Sequence, residues 1–198
     1  VAEQEDPITE TIEAKAYDSN IQIPMIVTAY RTPSIKSRDS KTLDMISTYL
    51  SDGNSSKLYR KVVDEKKMAL EVGAINLSLE DHSMYIIYGL PLGETSLESI
   101  ISEIDEEVVK IQEDLISEKD YQKLQNKFET NFVDSNSSVE GIANSLAEYY
   151  AFYKDTNLIN SEIEIYQSIS REEIQAVAKK YLNPNQRLVL DYLPESSK

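Results

Sequence analysis

The chain has 198 residues, a length that suits one domain with a full core. Its 20 Lys and Arg stand against 35 Asp and Glu, and the resulting charge of −15 repels phosphate backbones and anionic lipid, which argues against nucleic-acid and membrane partners. There is no Cys, so disulfides, thiolate chemistry and cysteine-bound zinc are excluded.

Residues 1–7 are polar, end in Asp6-Pro7 and read as a linker; residues 8–198 read as a single module. The chain opens Val1-Ala2-Glu3 without a Met, the expectation for a piece cut from a longer polypeptide with any signal peptide upstream. From Ile8 to Tyr17 the pattern alternates, with Ile12, Ala14 and Ala16 on one side, and predicts a strand with one buried face. Ile21 to Arg31 is a β-rich run, closed by Thr32-Pro33, with Pro24 near its start where a missing N–H does least harm.

Asp39 to Leu50 predicts a helix with Leu43, Ile46, Tyr49 and Leu50 on one face and Gly53 as its stop. Ser55 or Ser56 is then expected to cap a short helix carrying Leu58, Tyr59, Val62 and Val63. Ala69 to Leu79 and Met84 to Leu92 read as a hairpin turning through Glu80-Asp81-His82-Ser83. Leu97, Ile100, Ile101, Ile104, Val108, Ile111 and Leu115 form a stripe at helical period. Ser117-x-x-Asp120 opens a helix bearing Tyr121, Leu124, Phe128 and Phe132, which Ser135 to Ser138 break. Val139, Ile142, Ala143, Leu146, Tyr149, Tyr150 and Tyr153 mark another. Ser170-x-x-Glu173 is a capping box, with Ile169 and Ile174 as its hydrophobic staple, and that helix runs to about Leu182 before Asn183-Pro184 stops it. Arg187 to Leu193 is a closing strand. The order ββαα, ββ, about four helices, β predicts an α+β fold. Its sheet is mainly antiparallel, of about five to six strands, with helices packed on one face.

Several of these segments, in order and at matching spacing, resemble those of the pitrilysin-like (mitochondrial-processing-peptidase-like) zinc peptidases. Leu50-Ser-Asp-Gly53-Asn-Ser55-Ser56-Lys57-Leu58-Tyr59 is similar to the family's helix–Gly–Ser-Ser-Arg-Leu-aromatic segment. Ile116-Ser-Glu-Lys-Asp-Tyr-Gln-Lys-Leu124 resembles the opening of its middle helix. Ser170 to Pro184, with Leu188-Val-Leu-Asp-Tyr-Leu-Pro194 after it, resembles its last helix and strand. The resemblance implies a bacterial protein built from two similar modules that close around a peptide. One module carries a His-x-x-Glu-His motif and a distant Glu; the two His and the distant Glu bind zinc, and the motif Glu activates water. The other usually lacks metal, and in many members it holds substrate with an Arg and a Tyr.

This chain has one His, His82, so the zinc motif cannot exist in it. At the positions of the family's Arg and Tyr stand Val63 and Leu70, whose side chains donate no hydrogen bond. The implied identity is therefore the C-terminal, non-catalytic module. No catalytic, cofactor or metal residue is assigned, and zinc is expected only in a separate catalytic module, in the same or another chain. That module and a peptide substrate are the implied partners, and family resemblance suggests the periplasm or cell envelope. A degenerate relative acting purely as a structural or peptide-binding scaffold is the alternative.

Among individual residues, Lys57 and Arg60 are the candidate contacts to a substrate or partner carboxylate. His82 is expected in an exposed turn. The carboxylates Glu103, Asp105, Glu106, Glu107, Glu113 and Asp114 are expected to form a solvated outer helix face, since no Asp-x-Asp-x-Asp-Gly calcium loop is present. Gly53-Asn54-Ser55-Ser56 reads as a helix stop and a new cap rather than a phosphate loop, for want of a Gly-rich loop with Lys-Ser/Thr. Tyr149, Tyr150 and Tyr153 are expected to be core residues with hydroxyls at the rim rather than the lining of an aromatic groove.

Overall fold

Alternating residues put two chemically distinct faces on the extended runs, and the sheet they form uses both. A computed structural model describes residues 8–197; the linker expected over residues 1–7 lies outside the described residues. Strands β1 (Ile12–Asp18), β2 (Met25–Pro33), β3 (Ala69–Leu77), β4 (His82–Pro91) and β5 (Leu188–Pro194) form one sheet in the order β1-β5-β2-β4-β3. Only the β1–β5 pair is parallel. The predicted α+β class and mainly antiparallel sheet are observed, with five strands.

One face of this sheet is dry. Ile26, Thr28 and Tyr30 of β2, Val72 and Ala74 of β3, and Tyr85 and Ile87 of β4 point into it and are buried. Helix α1 (Arg38–Ser51) covers β3 and β2, α2 (Leu97–Glu113) covers β4 and β2, and α6 (Arg171–Tyr181) packs on both helices. Leu43, Ile46 and Leu50 of α1, Ile100 and Ile104 of α2, and Ile174 and Ala178 of α6 are 0–1% exposed, so the three apolar stripes share one core. Truncating any of the buried Leu or Ile to Ala would cost about 2–5 kcal/mol. α2 comes close enough that a Cβ at Gly89 would meet Ile100 Cγ2 at 2.6 Å. Glycine is what allows that approach.

The other face carries the alternate residues. Ile12, Leu188, Ala29, Ile86 and Ile75 are successive register partners across all five strands. Ile12, Ile75, Leu77 and Met84 are each 40–48% exposed. The buried face expected for β1 is thus corrected. Its strand begins at Ile12, and its Ile12-Ala14-Ala16 side lies on this open face, because β1 is an edge strand on the side of the sheet that the helices do not cover.

The helix starts follow the sequence. Ser37, Ser96, Ser117, Ser138 and Ser170 each accept a backbone N–H at the start of a helix, worth about 1 kcal/mol apiece. Gly53 has φ +82°, as a left-handed helix stop requires. The short helix after it differs from expectation. Residues Tyr59–Glu65 are π-helical, with Lys66 N bonded to Lys61 O, and neither Ser55 nor Ser56 caps it. Ser55 receives the Lys123 ammonium instead, and the Ser56 hydroxyl is buried without a partner. The capping box at Ser170 is half formed. Its hydroxyl accepts Glu173 N, while the Glu173 carboxylate is drawn to Arg38, 2.6 Å from its Nε.

Beyond the three core helices lies a second helical group. It comprises α3 (Glu118–Ser135), α4 (Val139–Glu148) with a π-helical extension Tyr149–Tyr153, and α5 (Leu158–Gln167). α5 was not separately expected, although Leu158, Ile159, Ile163 and Tyr166 recur at helical spacing.

Candidate functional site

Among the described residues no three His, Cys, Asp or Glu side chains are grouped to hold an ion. The lone His82 is exposed and is the first residue of β4, register partner of Pro33, rather than part of the turn where it was expected. Its neighbour Glu80 faces Lys36 at 3.4 Å. Hydrolytic zinc needs three protein ligands in one open shell, and this donor set does not fit it.

The acidic helix is a solvated face only in part: Glu106, Glu113 and Asp114 are exposed as expected, whereas Glu103, Asp105 and Glu107 are not. Glu103, Glu106 and Glu107 lie at i, i+3 and i+4, which aligns them on one side of α2. The Lys61 ammonium of the π-helical turn sits among them at 2.9, 2.7 and 3.2 Å. Glu103 also takes the Lys66 ammonium. Burial pulls the Lys61 pKa down, but its three carboxylate partners outweigh that and hold it well above the ordinary ammonium value. On another side of α2, Asp105 pairs with both terminal nitrogens of Arg187, at 2.5 and 2.7 Å, and Arg187 also donates to the Tyr30 hydroxyl at 2.9 Å. These carboxylates fasten α2 to the π turn and to the start of β5. A helical wheel cannot show this, because the cations come from elsewhere in the chain.

Lys57 and Arg60 are placed differently from each other. Lys57 lies 2.9 Å from Asp120 and 5.2 Å from the centre of the Tyr49 ring. Burial lowers its pKa, but Asp120 and Tyr49 more than compensate and the net displacement is upward. Around it Lys127 pairs with Asp52 at 2.6 Å, and Lys123 reaches Ser55. Three ammoniums against two carboxylates leave a small cationic spot on an acidic molecule. Arg60 projects on the π turn, is 57% exposed and pairs with Glu65 at 3.0 Å. Of the positions where the resemblance puts Arg and Tyr, Val63 packs against the core and Leu70 is 48% exposed on β3.

A concavity lies in the second helical group. It is a cleft of about 240 Å³ between α3, the α4 extension and α5. Phe128 and Phe132 of α3 and Tyr149, Tyr153 and Tyr166 supply aromatic walls. Glu148 and Glu162 supply carboxylates. The Tyr149 hydroxyl donates to Glu162 at 2.5 Å, and Glu162 also pairs with Lys41 of α1. The Lys41 ammonium lies 5.3 and 5.5 Å from the Tyr153 and Tyr166 ring centres. Behind Tyr166 its hydroxyl meets Asp44 at 3.0 Å, and burial pushes the Asp44 carboxyl upward despite hydrogen bonds from Asn76 and Tyr166. Burial and Glu162 raise Tyr149; burial and Asp44 raise Tyr166; both phenols are therefore neutral donors.

The tyrosine expectation is corrected here in part. Tyr149 is buried, but Tyr150 is 62% exposed, Ile142 is 39% exposed, and Tyr149 and Tyr153 do line a groove. Sequence reading missed the groove because its other wall, Glu162 and Tyr166, stands on the unexpected helix α5.

Comparison with known proteins places the fold. Residues 3–128 match the family described as the Peptidase M16 inactive domain. The chain is 22% identical over 173 residues to the zinc protease PqqE of Helicobacter pylori, a stretch covering 87% of this chain and 39% of that protein. A protease structure from Helicobacter pylori matches with a TM-score of 0.88 at 20% identity, over 96% of this chain and 46% of the other. The periplasmic protease PqqL from Escherichia coli matches with a TM-score of 0.74 at 16% identity, over 94% of this chain and 21% of that one. The chain thus spans less than half the length of these relatives.

Proposed function

Because the chain belongs to the Peptidase M16 inactive-domain family, we propose that it is the metal-free half of a zinc metallopeptidase, packing on a catalytic module and helping to enclose a peptide. The observation that carries this reading is the open sheet face. Five strands present apolar side chains there, with Ile75 and Met84 at 48% and 41% exposure. A contiguous apolar surface of this kind marks a place where another protein surface docks. The zinc and the attacking water belong to that other module, and no hydrolytic step runs through this chain's own residues.

Arg60, exposed on the π turn, is the residue we assign to a carboxylate of the substrate or partner; Lys57, already held by Asp120 and Tyr49, is the second candidate, at a separate position. The compartment we assign is the periplasm or cell envelope, in line with the periplasmic relative PqqL. No helix among the described residues is long and apolar enough to cross a membrane.

The test is reconstitution. The chain is combined with an M16 catalytic module from the same organism, and peptide cleavage is followed with and without a zinc chelator. The reading expects chelator-sensitive cleavage at least tenfold above the catalytic module alone. Equal cleavage with and without this chain would leave the second reading, a scaffold without peptidase role. The apolar Val63 and Leu70 at the substrate-holding positions favour that second reading.

A further inference from the structure

The aromatic cleft between α3, the α4 extension and α5 has a lining with one consistent chemistry. Its charged members, Glu148 and Glu162, are both carboxylates; no Lys, Arg or His is among the lining residues. Phe132, Tyr149 and Tyr153 add aromatic surface, whose quadrupole favours cations, while Phe128 and Tyr166 stack on each other at 4.5 Å between ring centres. Asn136 lines it as well. The Asn136 amide donates to Phe132 O at 2.9 Å, and that bond fixes its orientation and leaves Oδ1 buried with no donor. The structure already shows these rings holding one cation from behind, the Lys41 ammonium against Tyr153 and Tyr166. Lys41 is paired with Glu162, and Glu148 adds a further carboxylate to the lining, so the excess is negative. About 240 Å³, at roughly 30 Å³ per water-sized group, leaves room for about eight heavy atoms.

We propose that this cleft binds a small organic cation with N–H donors, an alkylammonium or guanidinium group on an apolar stem. The aromatic side chains take the stem, and the carboxylate of Glu148 pairs with the head. Two sources present this chemistry: a free amine, or the basic side chain of a peptide. The site stands whether or not the chain assists a zinc peptidase, since none of its residues lies on the open sheet face.

Titration calorimetry on the purified protein decides the matter, with aromatic-proton NMR to locate the ligand. The probes are 1,5-diaminopentane, N-acetyl-lysine amide and, as neutral isosteres, 1-pentanol and N-acetyl-norleucine amide. The expected result is saturable one-to-one binding of at least one cation with a Kd under about 1 mM, with the isostere at least tenfold weaker and with shifts at Phe128, Phe132 and Tyr149. Binding of the diamine identifies a free amine as the source, and binding of the lysine amide alone identifies a side chain. Glu148→Gln, at an exposed position, is expected to weaken binding roughly tenfold, while Glu140→Gln on the same helix leaves it unchanged. The proposal is overturned if no cation saturates by 10 mM, if the neutral isosteres bind equally, or if Glu148→Gln binds as the parent does.

Discussion

The buried carboxyl of Asp44 is the residue whose behaviour departs furthest from its sequence surroundings. It sits on α1 between Asn76 and Tyr166, and burial raises its pKa above the ordinary carboxylate value of 3.8. A carboxyl that holds its proton more tightly folded than unfolded stabilises the fold at low pH and loses that contribution as pH rises through its folded pKa. Asp44→Asn keeps the acceptor for Asn76, and the Tyr166 hydroxyl can turn to accept from the new amide. The variant is expected to melt above the parent at pH 7, with the gap closing by about pH 4; thermal unfolding across that range checks it. Arg187 is the opposite case. It is 5% exposed, and Asp105 is its carboxylate partner. Asp105→Ala leaves a buried guanidinium unpaired and is expected to cost about 3 kcal/mol in urea unfolding. A loss under 0.5 kcal/mol would mean that Tyr30 alone satisfies it. Neither role is visible from spacing, since 82 residues separate Asp105 from Arg187.

Among elements, the π-helical turn Tyr59–Glu65 depends most on a neighbour. Its Val62 is buried, but the ionic attachment to α2 runs through Lys61, whose side chain is 14% exposed. Lys61→Met keeps the stem and removes the charge, leaving the nearly buried Glu103 to Lys66 alone and Glu107 to Lys110 alone. The expected loss is about 2 kcal/mol at pH 7. The sign with pH follows from Glu103: burial raises its pKa, but Lys66 and Lys61 together bring it below the usual 4.5. Its stabilisation is present above that value and lost as pH falls through the folded pKa. The penalty of Lys61→Met should therefore shrink below about pH 4, as paired urea titrations at pH 7 and 3.5 would show. The helix starts, by contrast, were readable: the serine caps at Ser117 and Ser170 act within three residues, and local chemistry needs no tertiary partner. α5 escaped reading because only part of its surface is apolar and its start, Asn157, forms no side-chain cap.

At the scale of the molecule, the two faces of the sheet predict two kinds of mutant. A charge on the helix-covered face, at Ile87 or Ile26, meets a closed core. A charge on the open face meets solvent in the isolated chain. The double variant Ile75→Glu, Met84→Glu is expected to unfold within about 0.5 kcal/mol of the parent. It should also lose at least tenfold in affinity for the catalytic module, as measured by calorimetry. Unchanged affinity would remove the open face from the proposed assembly.

Composition and short-range pattern by themselves determined the α+β class, the helix starts at Ser117 and Ser170 and, with one His in the chain, that no His-x-x-Glu-His motif can occur in it. Each depends on residue type or on neighbours a few positions away. The tertiary structure alone decided which face of β1 is open, what the carboxylates of α2 hold, and that Tyr149 and Tyr153 face Glu162 and Tyr166 across a cleft. Those outcomes are set by groups brought together from distant parts of the chain, and periodicity along one segment carries no information about the partner that folding supplies.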